Sequence, residues 1–463
     1  MFNKSTGENY WIEFVRILRQ NRAMLSSQKR RVVVTGIGIV SPLGLTRETT
    51  WSNILEGKSG IEKITLFDAT ECSVHIAGEV KNFDATRPLA EPLYPRGKEH
   101  APLTHAVMPK EAKRMDRFIH LALNAAVEAY QDSGLDHYRD QFSPTTIGVN
   151  IGVGMGGLPL IEETHNTLRD KGFKRITPFF IPQVIPNLAA GHTSIMLNTQ
   201  NTNYCSVSAC ASSAHAIGES YRIIQRGDSD LMIAGGAESV VCALGVGGFA
   251  AMRALSTRNE EPHRASRPWD EGRDGFVLGE GSAVLILEEM EFAKKRGAKI
   301  YGEIVGYGAT SDAFHITQPL EDGSGGYRAM EIALKESGLA PTEISYINAH
   351  GTSTPLGDVQ EARAVAKLFP DSKNLHVSST KSMTGHLLGA AGAIESAFSL
   401  LAIRDSVVPP TINLDKLDPD CAATGIDFTA NRAVKKPVAA AMSNSFGFGG
   451  TNVSLVFKKW NKT

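Results

Sequence analysis

"VVVTGIGIVS" (residues 32–41) and "YGEIVGYGATS" (301–311) share one pattern, a β-branched run followed by Gly-x-Gly-x-x-Ser. A second pair, "AIGESYRIIQRGDS" (216–229) and "AIESAFSLLAIRDS" (393–406), agrees at its ends and in its apolar spacing. Either strand–glycine–helix units resemble one another by chance, or the chain contains a duplication. A duplication predicts two similar halves whose helix starts face one centre. Their boundary would sit near the charged stretch "EFAKKRGAK" (291–299). In the register of the second pair, Ala209 falls opposite His386, one residue from Cys210.

Around these pairs, short apolar runs alternate with helical stretches. "TTIGVNIGVG" (145–154), "SDLMIAGG" (229–236) and "SAVLILEE" (282–289) read as strands buried on both faces. That pattern predicts an α/β protein. The 463 residues are 42% hydrophobic with a net charge of −1, enough for a sizeable core and no global field for nucleic acid. No uncharged apolar run reaches the ~18 residues of a membrane helix. The five cysteines, Cys72, Cys205, Cys210, Cys242 and Cys421, are odd in number and scattered, which suits free thiols in a reducing compartment. Residues 1–30 carry arginines but also Glu8 and Glu13, and no apolar signal core, so they read as an appendage, with Met24 a candidate start. "RPLAEPLYPRGKEHAPLTHAVMP" (87–109), rich in proline and charge, reads as an inserted surface loop.

Four stretches carry chemistry. "TNYCSVSA" (202–209) reads as a strand and "ASSAHAIGESYRIIQRG" (211–227) as a helix, which places Cys210 at the turn between them. A helix N-terminus favours thiolate, hence a nucleophile; the alternative is an inert cysteine in a tight turn. In "INAHGTSTPLGDVQEARAV" (347–365), His350 follows a strand, Thr352 and Thr354 offer hydroxyls, and Asp358 opens a helix as N-cap or first-turn acid. In "VSSTKSMTGHLLGAAGAIESA" (377–397), Lys381 is either a surface lysine or a fixed charge near the thiol. His386 starts an Ala/Gly-rich helix and Glu395 lies along it. "SNSFGFGGTNVSLVF" (443–457) sets three glycines around Phe448, a loop able to aim backbone N–H groups into a site. No phosphate loop, Rossmann fingerprint or zinc motif is present in the sequence.

Together, "SACAS", "NAHGTSTPLGD", "STKSMTGHLLGAAGAIE" and "NSFGFGGTN" resemble the β-ketoacyl-acyl-carrier-protein synthases, most closely the synthase II type, over about residues 30–459. The resemblance implies a thiolase fold, an α/β architecture of duplicated βαβαβαββ halves in a five-layer αβαβα arrangement. The halves would be residues 31–292, holding the cysteine, and 293–463, holding the histidines, the lysine and the glycine loop. It further implies a cytoplasmic homodimer that needs no cofactor and uses acyl- and malonyl-loaded acyl carrier protein.

By the same resemblance, Cys210, His350, His386 and Lys381 are catalytic. The N–H groups of Cys210 and Phe448 form the oxyanion hole, and Glu395, Thr352, Thr354 and Asp358 support the site. Met155, Phe446, Phe448, Asp312 and His315 shape the acyl pocket and its gate. Lys110, Lys113, Arg114, Lys174, Arg175 and Arg253 dock the acidic carrier; taken singly, each reads as an ordinary solvated charge. A structural monovalent cation is implied at Asn348, Glu395, Ser443 and Asn444. A second histidine, where thiolases carry cysteine and the initiating synthase asparagine, points to an elongating enzyme. A polyketide-type ketosynthase and an idle chain-length-factor-like partner are the alternatives; the intact Cys210 disfavours the latter.

Overall fold

The computed structural model describes residues 29–461 apart from Asp371, so most of the 1–30 leader lies outside the described residues. Ten strands form one sheet system: β1 (Val32–Val40), β2 (Ile147–Gly152), β3 (Asn203–Tyr204), β4 (Leu231–Glu238), β5 (Gly281–Glu289), β6 (Gly302–Ser311), β7 (Tyr346–Asn348), β8 (His376–Ser378), β9 (Ala440–Gly447) and β10 (Thr451–Lys458). Their order is β8-β7-β9-β10-β6-β1-β5-β4-β2-β3. Read outward from the centre, each half runs first, fifth, fourth, second, third strand. In each half, two antiparallel pairings are followed by two parallel ones. The halves meet where Val32–Val34 of β1 pair antiparallel with Gly302–Ile304 of β6.

The helices that build the layers are α1 (Arg117–Ser133), α2 (Leu188–Leu197), α3 (Ser212–Arg226), α4 (Ser324–Ser337), α5 (Pro355–Leu368) and α6 (Ala391–Asp405). α1 and α2 cover the outer face of the first five strands, and α4 with α5 the outer face of the second five. α3 and α6 touch each other and both sheets. The result is the expected five layers, helix–sheet–helix–sheet–helix. α6, enclosed between sheets, is buried without a break from Ala391 to Ile403. This explains its alanines, glycine and serines: large side chains would hold the sheets apart.

The first sequence pair is a true structural repeat. Both strands shift register at the same point, between Val34 and Gly36 and between Ile304 and Gly306. A Cβ on Gly36 or Gly38 would strike the carbonyls of Ala129 or Ala125 on α1. On Gly306 or Gly308 it would strike Ala333 or Ala329 on α4. The glycines recur because the same helix backbone lies against the same strand in both halves.

The second pair is a repeat in a different register. A single 3-10 turn, Ala209–Ala211, leads into α3, and another, Leu388–Ala390, leads into α6. Ala209 and Leu388 share a left-handed backbone, φ 49° and 47°. Leu388, not His386, therefore stands opposite Ala209. Two further expectations change. Only Asn203–Tyr204 of the 202–209 stretch is strand, and the 87–109 insertion contains a small hairpin, Pro88–Leu93 with Leu103–His105.

Candidate active site

Cys210 sits within the 3-10 turn before α3. The Ser212 hydroxyl holds that turn, accepting from the Ser208 N–H at 2.9 Å and donating to the Ala209 carbonyl at 2.7 Å. The N–H groups of Phe448 and of Cys210 itself approach the sulfur, where the oxyanion hole was expected. Gly447 packs its Cα onto this turn, and a Cβ there would lie 3.2 Å from the Cys210 nitrogen. The expected thiolate bias is corrected: burial pushes the thiol up to about 11, outweighing Lys381 and the two N–H groups. A helix terminus offers at most ~2 kcal/mol, and full desolvation of a thiolate exceeds that.

Cys210, His350 and His386 each bring one reactive heteroatom within 4.8 Å of the others. The imidazole rings lie edge to face, 5.4 Å apart at 85°. His386 Nδ1 accepts the Leu388 N–H at 3.3 Å. A neutral ring so held carries its proton on Nε2, and that nitrogen is buried without a partner among the described residues. His350 is fixed through its backbone: its N–H and that of Gly351 donate to Glu361 at 2.9 and 2.7 Å. Its Nδ1 is buried and unpartnered among the described residues. Burial and the Lys381 charge hold both imidazoles well below 6.5.

Lys381 is no surface lysine. It starts a short helix, Lys381–Thr384, is fully buried, and pairs with Glu395. Burial pushes the Glu395 carboxyl up to about 7 against the pull of Lys381. Asp358 is buried in the first turn of α5 but is not its N-cap, which is Thr354. It accepts the N–H groups of Ser353 and Trp269 at 3.1 and 3.0 Å and faces Arg273 at 3.5 Å. Thr352 and Thr354 join hydroxyls at 3.1 Å.

A cavity of about 760 Å³ opens onto this centre. Cys210, His350, His386, Thr352, Thr354, Asp358, Met155, Phe446, Phe448 and Asp312 all line it. Phe446 lies 5.8 Å from the His350 ring, and Phe448 lies 6.5 Å from Phe249. His315 does not line the cavity. It is exposed, and its Nδ1 accepts the N–H groups of Thr317 and Gln318, ordering its own loop. Lys110, Lys113, Arg114, Lys174, Arg175 and Arg253 are all exposed, and Arg253 lies on the cavity rim. Arg114 stacks 4.6 Å over Phe179 and pairs with Glu111. Nearby Arg117, by contrast, is committed inward to Glu280. At the implied cation position, Asn348 and Ser443 are register neighbours, and Asn348 Oδ1 and Glu395 Oε2 are buried oxygens without partners among the described residues. Asn444 offers no such oxygen: its Oδ1 accepts the Ser454 hydroxyl and its amide donates to Glu361.

Two buried carboxylates escaped sequence reasoning. Glu361 clamps the His350 turn, and Glu238, at the end of β4, accepts four N–H groups beside the cavity. Glu361 lies one helical turn past Asp358 on the same face, the available signal. For Glu238, only an acid ending the apolar run "LMIAGGAE" stood out.

A buried thiol, two neutral imidazoles and an internal lysine at the meeting of two duplicated halves define a condensing enzyme of thiolase-like fold. Residues 29–293 match the family "Beta-ketoacyl synthase, N-terminal domain" and residues 301–415 "Beta-ketoacyl synthase, C-terminal domain". The chain belongs to the beta-ketoacyl synthase family. It is 49% identical to 3-oxoacyl-[acyl-carrier-protein] synthase 2 of Vibrio harveyi over 433 residues, 93% of this chain and 99% of that one. It is also 49% identical to the Synechocystis protein of the same name over 438 residues, 94% and 100% of the chains. Among solved structures, a beta-ketoacyl synthase from Burkholderia phymatum STM815 superposes with a TM-score of 0.83 at 35% identity, covering 93% and 100% of the chains. A type II PKS ketosynthase bound to its acyl-carrier protein and the hexaketide gives 0.82 at 32%, covering 94% and 100%.

Proposed function

We propose that this protein is the 3-oxoacyl-[acyl-carrier-protein] synthase of fatty-acid elongation, of the synthase II type. The observation that carries this is the convergence of Cys210, His350 and His386 within 4.8 Å on one cavity. The identity of 49% to synthase 2 relatives, against 32% to the polyketide ketosynthase, favours fatty-acid elongation. The intact Cys210 argues against an idle chain-length partner.

In the first stage, Cys210 sulfur attacks the acyl thioester, and the carrier's thiol leaves. The thiol proton passes to His350, because His386 Nε2 already carries one, and from His350 to the departing carrier sulfur. The N–H groups of Cys210 and Phe448 hold the tetrahedral oxyanion. In the second stage, malonyl-carrier protein loses CO2, and the electron pair of the broken bond becomes an enolate. His386, donating through Nε2, and His350 beside it hold the enolate oxygen. The carbanion then attacks the acyl-Cys210 carbonyl, the sulfur leaves, and a 3-oxoacyl-carrier protein two carbons longer is released. Lys381, paired with Glu395, sets the local charge. Met155 lines the acyl chamber, Phe446 and Phe448 flank its mouth, and Asp312 with His315 shapes the facing loop.

The carrier protein docks on Lys110, Lys113, Arg114, Lys174, Arg175 and Arg253. A second copy covers the edge at β3, where Ile195 and Val207 are 65% and 59% exposed. No helix among the described residues is long and apolar enough to cross a membrane; the likeness to bacterial 3-oxoacyl-[acyl-carrier-protein] synthase 2 supports a cytoplasmic location. Residues 31–292 and 293–463 act as its two halves. Any structural cation rests at Asn348, Glu395, Ser443 and Asn444, where Asn348 Oδ1 and Glu395 Oε2 are the buried oxygens without partners among the described residues. Incubation with acyl-carrier protein followed by intact mass measurement tests the central reading. Wild type gains an acyl group that Cys210→Ala does not. A wild type that stays unacylated overturns it.

A further inference from the structure

Glu238 is fully buried and lines the cavity 84 residues in sequence from Gly154, to which it bonds. Its Oε2 accepts the N–H groups of Gly154 at 2.7 Å and Gly389 at 3.1 Å. Its Oε1 accepts those of Met155 and Gly156 at 3.2 and 3.3 Å. Three of these donors belong to the loop that carries Met155, in the first half of the chain. The fourth belongs to the turn before α6, in the second half. One peptide earlier, the Leu388 N–H holds His386 Nδ1. Two consecutive N–H groups thus fix His386 and bind Glu238.

The carboxylate sits where nothing else fits. A Cβ on Gly154 would meet Glu238, and a Cβ on Gly389 would meet both the Gly154 nitrogen and Glu238. The two backbones therefore approach to contact, with the carboxylate as their shared acceptor. An ionised carboxylate is acceptor-only, so it can serve four donors at once. A carboxamide must turn an NH2 toward two of them.

We propose that Glu238 is a positioning residue that fastens the Met155 loop of the acyl chamber to the turn presenting His386, so that chain-length selection and enolate stabilisation are set by one buried side chain. This rests on the assignment of Cys210 and His386 above. A loosened fastener lets the Met155 loop drift from the chamber and the His386 turn drift from the thiol together. Local structural support alone would lower stability without moving selectivity.

The test compares wild type, Glu238→Gln and Glu128→Gln. Glu128 is a partly buried carboxylate that accepts two N–H groups, those of Ile39 and Arg47, and it is absent from the cavity lining. Each protein is assayed for Cys210 acylation by carrier proteins bearing four to sixteen carbons, and separately for malonyl-carrier-protein decarboxylation. Glu238→Gln should flatten the chain-length profile and slow decarboxylation, each by about fivefold or more, while Glu128→Gln changes neither ratio. If Glu238→Gln does not fold, Glu238→Asp, which keeps the charge but cannot span four donors, carries the same expectation. An unchanged chain-length profile, or a decarboxylation rate that stays at the wild-type value, overturns the proposal. Failure of the underlying assignment is distinguishable, because wild type itself would then show no acyl-Cys210.

Discussion

The backbone N–H of Leu388 points at Nδ1 of His386, 3.3 Å away, and so dictates which nitrogen of that ring can donate. The donor is then Nε2, which is buried with no competing partner among the described residues. Removing it in His386→Ala should slow malonyl decarboxylation about 10²–10³-fold, the usual loss for one preorganised donor. Acylation of Cys210 should stay within a few-fold of wild type. Equal loss in both half-reactions would refute the division of labour.

The two imidazoles are held neutral by burial and by Lys381. Decarboxylation should therefore be flat from pH 8 down to about 6, with no step at the ordinary histidine value of ~6.5. The same depression couples to folding. These groups contribute stability that is present above 6.5 and lost as pH falls toward their lower folded values. A rate profile with a midpoint at 6.5 would contradict the neutral assignment.

With the thiol pushed up to about 11, little thiolate exists at neutral pH. Iodoacetamide labelling of Cys210 should accelerate about tenfold per pH unit from 7 to 10. Labelling that is already maximal at pH 7 would restore the thiolate reading.

Lys381 and Glu395 are both buried and paired. Lys381→Met leaves a lone acid inside and should cost about 3–5 kcal/mol in urea unfolding. Lys381→Met with Glu395→Gln should regain most of it. Glu395 then has a folded value raised further above its ordinary 4.5. Stability of the single variant is thus full below 4.5 and lost as pH rises through that value. It should tolerate more urea at pH 5 than at pH 8; the reverse order would exclude a buried lone carboxyl.

Charge reversal at Arg114 and Arg175 should weaken use of carrier-protein substrates by about tenfold at low salt, and less at high salt. Small thioester surrogates should be unaffected. An equal effect on both substrates would remove these residues from the docking surface.

Much of this was legible in the chain because the chemistry sits in short contiguous stretches. Cys210, His350, His386 and Lys381 each follow a recognisable local pattern. The Gly36/Gly306 repeat was readable because helix-to-strand contact allows only glycine there. Other features arise from distant contacts and leave no local trace. The thiol's protonation depends on burial by both halves. Lys381 is internal only because α6 delivers Glu395. Glu238 looks like any strand-end acid until four N–H groups converge on it. The register of the helix repeat misled by two residues because similar side chains are cheap to place on two small-residue helices. The shared left-handed turns at Ala209 and Leu388 mark the true equivalence.

From Ala391 to Ile403, α6 has no side that faces water. In a comprehensive substitution scan, most helices give a rhythm of tolerated and forbidden sites every three to four residues, as α1 should with its exposed Gln131. From Ala391 to Ile403 that rhythm should vanish, leaving one unbroken intolerant band. The molecule's least evolvable segment would then be the one that seats Glu395, the buried partner of Lys381.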